Sequence, residues 1–294
     1  MDLFSISQLQ RFSGIKAHTI RIWEQRYNAL SPNRSEGNTR YYDNSQLRRL
    51  LNIVSLMESD YKVSELCAMP DKKLFDLISD QLAKKALLKE ESDYFVSQLI
   101  AASMSYDEAE FDKVLSVCFR RMEMRDAYVK VIYPLLDRIG LMWTTDTMPP
   151  AREHFISNLL RQKLIAAINT LPHAGPQAKP WLLFLPEGEF HELGLLFAHY
   201  LLRSSGNKVF YLGANVPFET LVRAVKDIPT TNLLFFLVHY NEPADMQDYI
   251  ERLTKSVQKA NIYLSGNARL ISALKTDKKI QWLRSVDDLE KIIL

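Results

Sequence analysis

Cysteine is nearly absent: Cys67 and Cys118 are the only two in 294 residues. Two thiols build neither a disulfide framework nor a thiolate metal cluster, which suits a reducing compartment. Glycine is scarce at nine, and proline stands at twelve, so collagen-like, linker-like and polyproline sequence is excluded on any large scale. No run of about 18 apolar residues occurs, and the first fourteen residues lack the apolar core of a secretory leader. Neither sign of charge dominates, since 37 Lys and Arg against 35 Asp and Glu leave a formal +2. The chain also lacks a P-loop, paired Cys/His zinc spacing and any nucleophile–base constellation. What remains, at 47 % hydrophobic and 24 % charged residues, is the composition of a globular cytoplasmic protein of two or three domains, and with no catalytic constellation in view an enzyme is not expected.

The balanced total hides a local excess. Arg11, Lys16, Arg21, Arg26, Arg34, Arg40, Arg48 and Arg49 stand among the first fifty residues against Asp2, Glu24, Glu36 and Asp43. Such an excess supplies the sequence-independent component of phosphate binding, although a solvated charged surface has the same composition. Ser5 can cap a helix over Ile6–Phe12, and Ser13-Gly14 breaks it before a second helix over His18–Tyr27. A helix, a glycine-containing turn and a second helix form the pattern that sets the second helix in the DNA major groove. The Glu36-Gly37-Asn38 tip between Arg34 and Arg40 suits a hairpin wing. From Asn44 the residues Leu47, Leu50, Leu51, Val54 and Met57 recur as one helical face.

Ile6-Ser-Gln-Leu, Thr19-Ile-Arg-Ile-Trp-Glu-Gln-Arg-Tyr27 and Gly37-Asn-Thr-Arg-Tyr-Tyr42, in that order, resemble the DNA-binding domain of MerR-family transcription regulators. The resemblance implies a winged helix-turn-helix over 1–75. Lys16, His18, Thr19, Arg21 and Arg26 would face DNA from the recognition helix, and Arg34, Arg40 and Tyr41 from the wing. Arginine pairs bidentately with guanine or phosphate and a tyrosine hydroxyl bonds phosphate, so the side chains suit the role. Trp23 reads as core.

Residues 76–172 are helical in pattern. Leu74, Leu77, Ile78, Leu82 and Leu87 make one amphipathic stretch. Tyr94–Met104, Phe111–Met124, Asp126–Gly140 and Glu153–Leu171 follow, with breaks marked by Asp107 and Asp126, as in a four-helix-type bundle. Met104, Met122 and Met124 read as core or boundary. Three prolines and a glycine in Leu171–Pro180 mark a linker. Beyond it strands alternate with helices: Trp181–Leu185, Lys208–Leu212, Leu233–Val238, Asn261–Leu264 and Ile280–Leu283 are strands. The helices between and after them are expected over Leu193–Ser204, Phe218–Val225, Ala244–Val257, Leu270–Leu274 and Val286–Ile293. The fold class is thus multidomain α and α/β, with a flavodoxin-like (Rossmann) parallel sheet over 180–294. Its ligand would lie beyond the carboxyl ends of the strands.

His191 falls just after the first of these strands. Glu189-x-His191-x-x-Gly194 resembles the Asp/Glu-x-His-x-x-Gly motif of cobalamin-binding flavodoxin-like domains. There the histidine replaces the cofactor's benzimidazole under cobalt, the acid polarises the imidazole, and the glycine leaves room for the nucleotide tail. In the bundle, Trp143-x9-Glu153-His154 resembles the helical cap of cobalamin-dependent photoreceptor regulators of the CarH and LitR type, whose Trp, Glu and His lie over the upper corrin face. The two motifs, downstream of a MerR-type head, extend the resemblance over essentially the whole chain. It implies adenosylcobalamin as cofactor and His191 as the cobalt ligand, with Ser265 and Gly266 in the place of the usual Gly-Gly.

Three positions depart from that pattern. The third strand, Leu233–Tyr240, has no Ser-x-Leu element, and Ser265 narrows the tail path by one side chain. Thr144 stands where the photoreceptors carry a histidine. Phe235, Phe236 or His239 could fill the tail space. The implied function is a repressor-type transcription regulator that binds promoter DNA. It would sense adenosylcobalamin, and light through it, by changing its homo-oligomeric state between dimer or tetramer and free chain. The alternative is a MerR-type regulator whose sheet domain has lost the cofactor and acts through protein–protein contacts. A cobalamin enzyme would need a substrate domain, commonly a barrel, that the remaining length does not supply. His199 reads as structural.

Overall fold

The computed structural model describes residues 4–34, 38–57, 61–74, 76–77, 88–144, 150–239, 243–275 and 279–293. The chain forms two compact units, Met1–Ile156 and Ser157–Leu294.

The first unit begins with α1 (Ile6–Ser13), capped by Ser5, whose hydroxyl accepts from the Gln8 amide while Gln8 reaches back to the Ser5 N–H. This reciprocal capping box satisfies two donors that the first helical turn leaves open. Gly14, at φ 75°, ends the helix in the left-handed region. Helix α2 (Ala17–Tyr27) follows, ended by Asn28 at φ 50°. A short antiparallel pair, β1 (Asn33–Arg34) and β2 (Arg40–Tyr41), forms the hairpin; the tip at 35–37 lies outside the described residues. Phe4 and Tyr42 exchange backbone hydrogen bonds of 2.7 and 2.9 Å, closing the N-terminus onto the wing.

Helix α3 (Asn44–Ser55), capped by Asp43, supplies Leu47, Leu50 and Leu51 to a core with Phe4, Leu9, Phe12, Ile20 and Trp23. Trp23 is thus a core residue, as its place in the pattern suggests. Arg49 ties α3 to the next segment, donating to the carbonyls of Ala29, Cys67 and Met69 and pairing with Asp71. A short helix α4 (Val63–Ala68) lies in that segment. The amphipathic stretch expected over Leu74–Leu87 falls largely outside the described residues.

Helices α5 (Leu88–Met104) and α6 (Glu108–Arg121) pack on each other, and α5 also packs on α3. The α3–α5 contact contains a buried hydrogen bond, Gln98 Nε2 to Asn52 Oδ1 at 2.9 Å. Head and bundle therefore share one compact unit, although the sequence pattern divides them near residue 75. Asp107 marks a break as expected, and its side chain caps α6. Asp126 marks no break: it lies inside α7 (Met124–Ala127) and receives Lys130 Nζ at 2.6 Å, and the turn of chain falls instead at Met122-Glu123. One π turn, Tyr128–Ile132, leads from α7 into α8 (Tyr133–Thr144). The long α9 (Pro150–Thr170) begins in the first unit and ends in the second.

The second unit is a five-stranded sheet. Its strands are β3 (Pro180–Pro186), β4 (Lys208–Val216), β5 (Asn232–Leu237), β6 (Asn261–Gly266) and β7 (Ile280–Trp282). All pairs are parallel, in the order β4-β3-β5-β6-β7. This is the 2-1-3-4-5 order of flavodoxin-like folds, and it places a crevice at the switch point between β3 and β5. The crossovers carry α10 (Leu193–Ser204), α11 (Phe218–Asp227), α12 (Pro243–Ser256) and α13 (Ala268–Ser272), with α14 (Val286–Ile293) last. Leu182, Phe184, Leu233 and Phe235 face Leu221, Met246, Ile250 and Leu253. On the other face Trp181 stacks on Tyr263 with ring centroids 5.1 Å apart. Burial on both faces explains why β3 and β5 read as unbroken apolar runs.

The end of β6 is packed tightly against β5. Gly266 sits at φ 127°, and any side chain there would fall inside the van der Waals surface of the Leu237 carbonyl. The Asn267 amide donates to that same carbonyl at 2.7 Å. Gly266→Ala is expected to cost the sheet unit at least about 3 kcal/mol, from the disallowed φ and the backbone clash together. A lower urea midpoint in the fluorescence of Trp181 and Trp282 is the measurement.

Candidate functional site

Glu189, directly after the Glu187-Gly188 turn that follows β3, is fully buried. Its Oε1 accepts from the Phe190 amide at 2.9 Å, the His191 amide at 3.0 Å and His191 Nδ1 at 2.6 Å. Its Oε2 accepts from the amides of Val238 and His239, each at 2.8 Å, beyond the end of β5. Burial alone would raise the carboxyl's pKa. The hydrogen bond from His191 and the three amides of His239, His191 and Val238 outweigh it and hold it down at about 2. The anion is therefore a fixed feature at any ordinary pH, and it joins the loops after β3 and β5 across the switch point. Backbone supports the arrangement: Gly188 N–H donates to Asn215 Oδ1 at 2.8 Å and Asn215 N–H to the Glu189 carbonyl at 3.0 Å.

With Nδ1–H donated to Glu189, the lone pair of the neutral His191 ring lies on Nε2. The imidazole side chain is 54 % exposed while its carboxylate partner is 0 % exposed. A buried carboxylate behind an exposed imidazole raises the basicity of the outward nitrogen and fixes its direction, which is what a single axial metal ligand requires. Phe190 beside it is 61 % exposed, an apolar surface next to the imidazole. His239 lies across the crevice, its ring centroid 6.1 Å from that of His191. Among the described residues no group of three or more His, Cys, Asp or Glu could hold a bare metal ion. The donor set thus suits a metal that brings its own equatorial ligands.

Gly194, in the first turn of α10, does not border open space. A Cβ built on it would approach Phe236 Cε1 to 2.8 Å, so the aromatic ring lies directly on the glycine. Of the three side chains that could fill this space, Phe236 does so. Phe235 points to the opposite face, stacked on Phe184 at 5.4 Å, and His239 stays near His191. Ser265 Oγ is engaged, donating to the Leu283 carbonyl at 2.9 Å.

In the first unit Lys16, His18, Arg21 and Arg26 are exposed, Thr19 is half-buried, and all belong to α2 or its N-cap. Arg34 is exposed on the wing and donates to Asn38; Tyr41 is half-buried. Arg40 differs from the rest, because its Nε pairs with Glu24 Oε1 at 2.9 Å and Tyr42 donates to Glu24 Oε2 at 2.9 Å. Its structural role is to fasten the wing to α2. Glu153 and His154 open α9 and bond each other at 3.1 Å, with the His154 side chain 74 % exposed. The side chain of Trp143 lies outside the described residues.

Residues 4–69 match the MerR HTH family regulatory protein model, and residues 95–167, whose described part is helical apart from short turns, match the B12 binding domain model. The chain joins a MerR-type helix-turn-helix to a B12 binding domain. It is homologous over about nine-tenths of its length to two transcriptional repressors of Myxococcus xanthus. It is 27 % identical to CarH over 268 residues, covering 90 % of this chain and 89 % of that protein. It is 26 % identical to CarA over 265 residues, covering 89 % and 85 %. Among solved structures, a Methanosarcina barkeri monomethylamine corrinoid protein aligns with a TM-score of 0.54 at 14 % identity, over 70 % of this chain and 95 % of that one, which shows the shared fold. No helix among the described residues is long and apolar enough to cross a membrane.

Sequence reasoning passed over a second polar cluster in the sheet unit. Tyr211 donates to Glu192 Oε1 at 2.8 Å, Arg161 pairs with Glu192 Oε2 at 3.3 Å, and His199 stacks on Tyr211 at 5.0 Å. The signal was present in the alternation of β4, where Tyr211 interrupts an apolar strand, but the partner is nineteen residues away. Burial, with the charge of Arg203, holds the His199 pKa down at about 4. A group whose folded pKa is depressed below its unfolded value of about 6.5 adds stability above that value and loses it as pH falls towards the folded pKa. Between pH 6.5 and 5 the sheet unit should lose about 1–2 kcal/mol through His199. His199→Phe should remove that slope in urea denaturation. Glu189→Gln should cost about 2–4 kcal/mol at pH 7, because one oxygen that accepts hydrogen bonds becomes a donor facing donors.

Proposed function

We propose that the chain is a one-component transcription regulator whose helix-turn-helix binds double-stranded promoter DNA and whose remaining domains sense a corrinoid. The observation that carries this reading is the Glu189–His191 pair: a buried anion orients an exposed imidazole at the switch point of a flavodoxin-like sheet. The repressor relatives support the same direction and a non-enzymatic role. Adenosylcobalamin is the form implied by the Trp143, Glu153 and His154 spacing, and those three residues are proposed for its upper face. When bound, the group supplies a light-cleavable cobalt–carbon bond. His191 would ligate cobalt, Glu189 would hold its ring, and Gly194, Ser265 and Gly266 would line the tail path. Functionally we divide the chain into a DNA-binding head (1–75), a helical cap (76–172) and a sheet (180–294).

On the head, Lys16, His18, Thr19, Arg21 and Arg26 are proposed to meet DNA from α2, and Arg34, Arg40 and Tyr41 from the wing. One head makes too few phosphate contacts for tight binding, so a homo-oligomer is proposed, with the corrinoid shifting its population. A second reading, a sheet that has lost its cofactor and binds a protein instead, is favoured by the Phe236 ring on Gly194.

Protein mixed with adenosylcobalamin in the dark and desalted should retain the cofactor's absorption and change it under green light. His191→Ala should lose or weaken that retention, and gel filtration before and after light reads the oligomer. A colourless wild-type protein after desalting would leave the second reading. Arg21→Ala should weaken binding to operator DNA by about tenfold and lower the salt dependence by about one phosphate contact.

A further inference from the structure

The crevice treats the two halves of a cobalamin molecule differently. The side that meets cobalt is displayed: His191 is half-exposed and held from behind, and Phe190 beside it is 61 % exposed. The region that would take the nucleotide tail is filled. The Phe236 ring sits on Gly194 between the start of α10 and the end of β5, on the sheet face opposite Phe235. The hydroxyl of Ser265 is spent on Leu283, and Gly266 is pressed on the Leu237 carbonyl, which also receives Asn267. Glu189 fastens the amides of Val238 and His239 to the neighbouring loop, so the end of β5 is held on this side too.

A buried nucleotide would have to displace a packed aromatic ring and separate the loops after β3 and β5, which share a buried anion. A corrinoid without a nucleotide meets no such opposition. It also carries no benzimidazole of its own to compete with His191 for the lower cobalt position.

We propose that the sheet unit selects corrinoids whose lower face is open, of the cobinamide class, and that Phe236 is the residue that sets this preference. The proposal rests on the corrinoid reading above and deepens it: the site ranks corrinoids, taking a tail-free molecule more tightly than a tail-bearing one such as adenosylcobalamin. In this arrangement His191 would hold the cobalt, the exposed Phe190 beside it would offer apolar contact, and Phe236 would keep a tail from the groove beside Gly194.

The test titrates the full-length chain, by absorption and equilibrium dialysis, with diaquacobinamide and hydroxocobalamin in parallel. Wild-type protein should bind the cobinamide at least about tenfold more tightly. His191→Ala should lose most of that binding. Phe236→Ala should narrow the gap by strengthening hydroxocobalamin binding about tenfold while leaving cobinamide nearly unchanged. The wild-type comparison stands even where the variant fails to fold. Equal or tighter wild-type binding of hydroxocobalamin overturns the selectivity and leaves the corrinoid reading in place. Binding of neither corrinoid overturns both.

Discussion

The Glu189 carboxylate is fully buried yet remains ionised, and it does so because five donors converge on it: four backbone amides from two loops and the Nδ1–H of His191. A charge at such depth is tolerable only where every lone pair is used. The consequence is reciprocal. The loops after β3 and β5 need the anion to satisfy their amides, and the anion needs both loops. His191 is a member of this network and takes its direction from it, so the orientation of the imidazole is inseparable from the folding of the sheet's carboxyl end.

A comparable economy holds the helix-turn-helix head together. Glu24 on α2 receives Arg40 and Tyr42 from the wing, while Arg49 on α3 collects three carbonyls and Asp71. A domain of this size has a small hydrophobic core, and a few charge-assisted hydrogen bonds between its short elements supply orientation that burial alone does not. The exposed cations of α2 are left to solvent or DNA, whereas Arg40 is held in place by Glu24. Arg40 thus has the wing's position to hold in addition to the DNA contact proposed for it.

Much of this was legible in the sequence, and for identifiable reasons. Capping is local chemistry, so α1 starts directly after Ser5 as the residues say, while the helix after the break at Asp107 starts at Glu108, three residues before Phe111. Strands β3 and β5 read as continuous apolar runs because both sheet faces are covered, and α10 and α14 emerge with their expected bounds. The spacing of Glu189 and His191 places carboxylate and imidazole within one turn, and their contact needs no distant residue. What failed was equally specific. Asp126 looked like a helix break by residue type, but Lys130 one turn later neutralises it within the helix. The Glu192–Tyr211–Arg161 cluster depended on residues from three elements, and its one local trace, Tyr211 within an apolar strand, names no partner.

By itself the sequence determined the type and order of the elements, the pairing of Glu189 with His191, and the basic surface of α2, because each follows from residues within a turn or two of one another. Only the tertiary structure decided which loops share the Glu189 anion, that Phe236 and not Phe235 covers Gly194, that Glu24 claims Arg40, and that head and bundle meet through Asn52 and Gln98. Alternation along a strand tells that neighbouring side chains face opposite ways, but which face receives α10 depends on the strand order and on the handedness of the crossovers. Contacts between residues tens of positions apart are set by that topology, and no local pattern of residue types carries it.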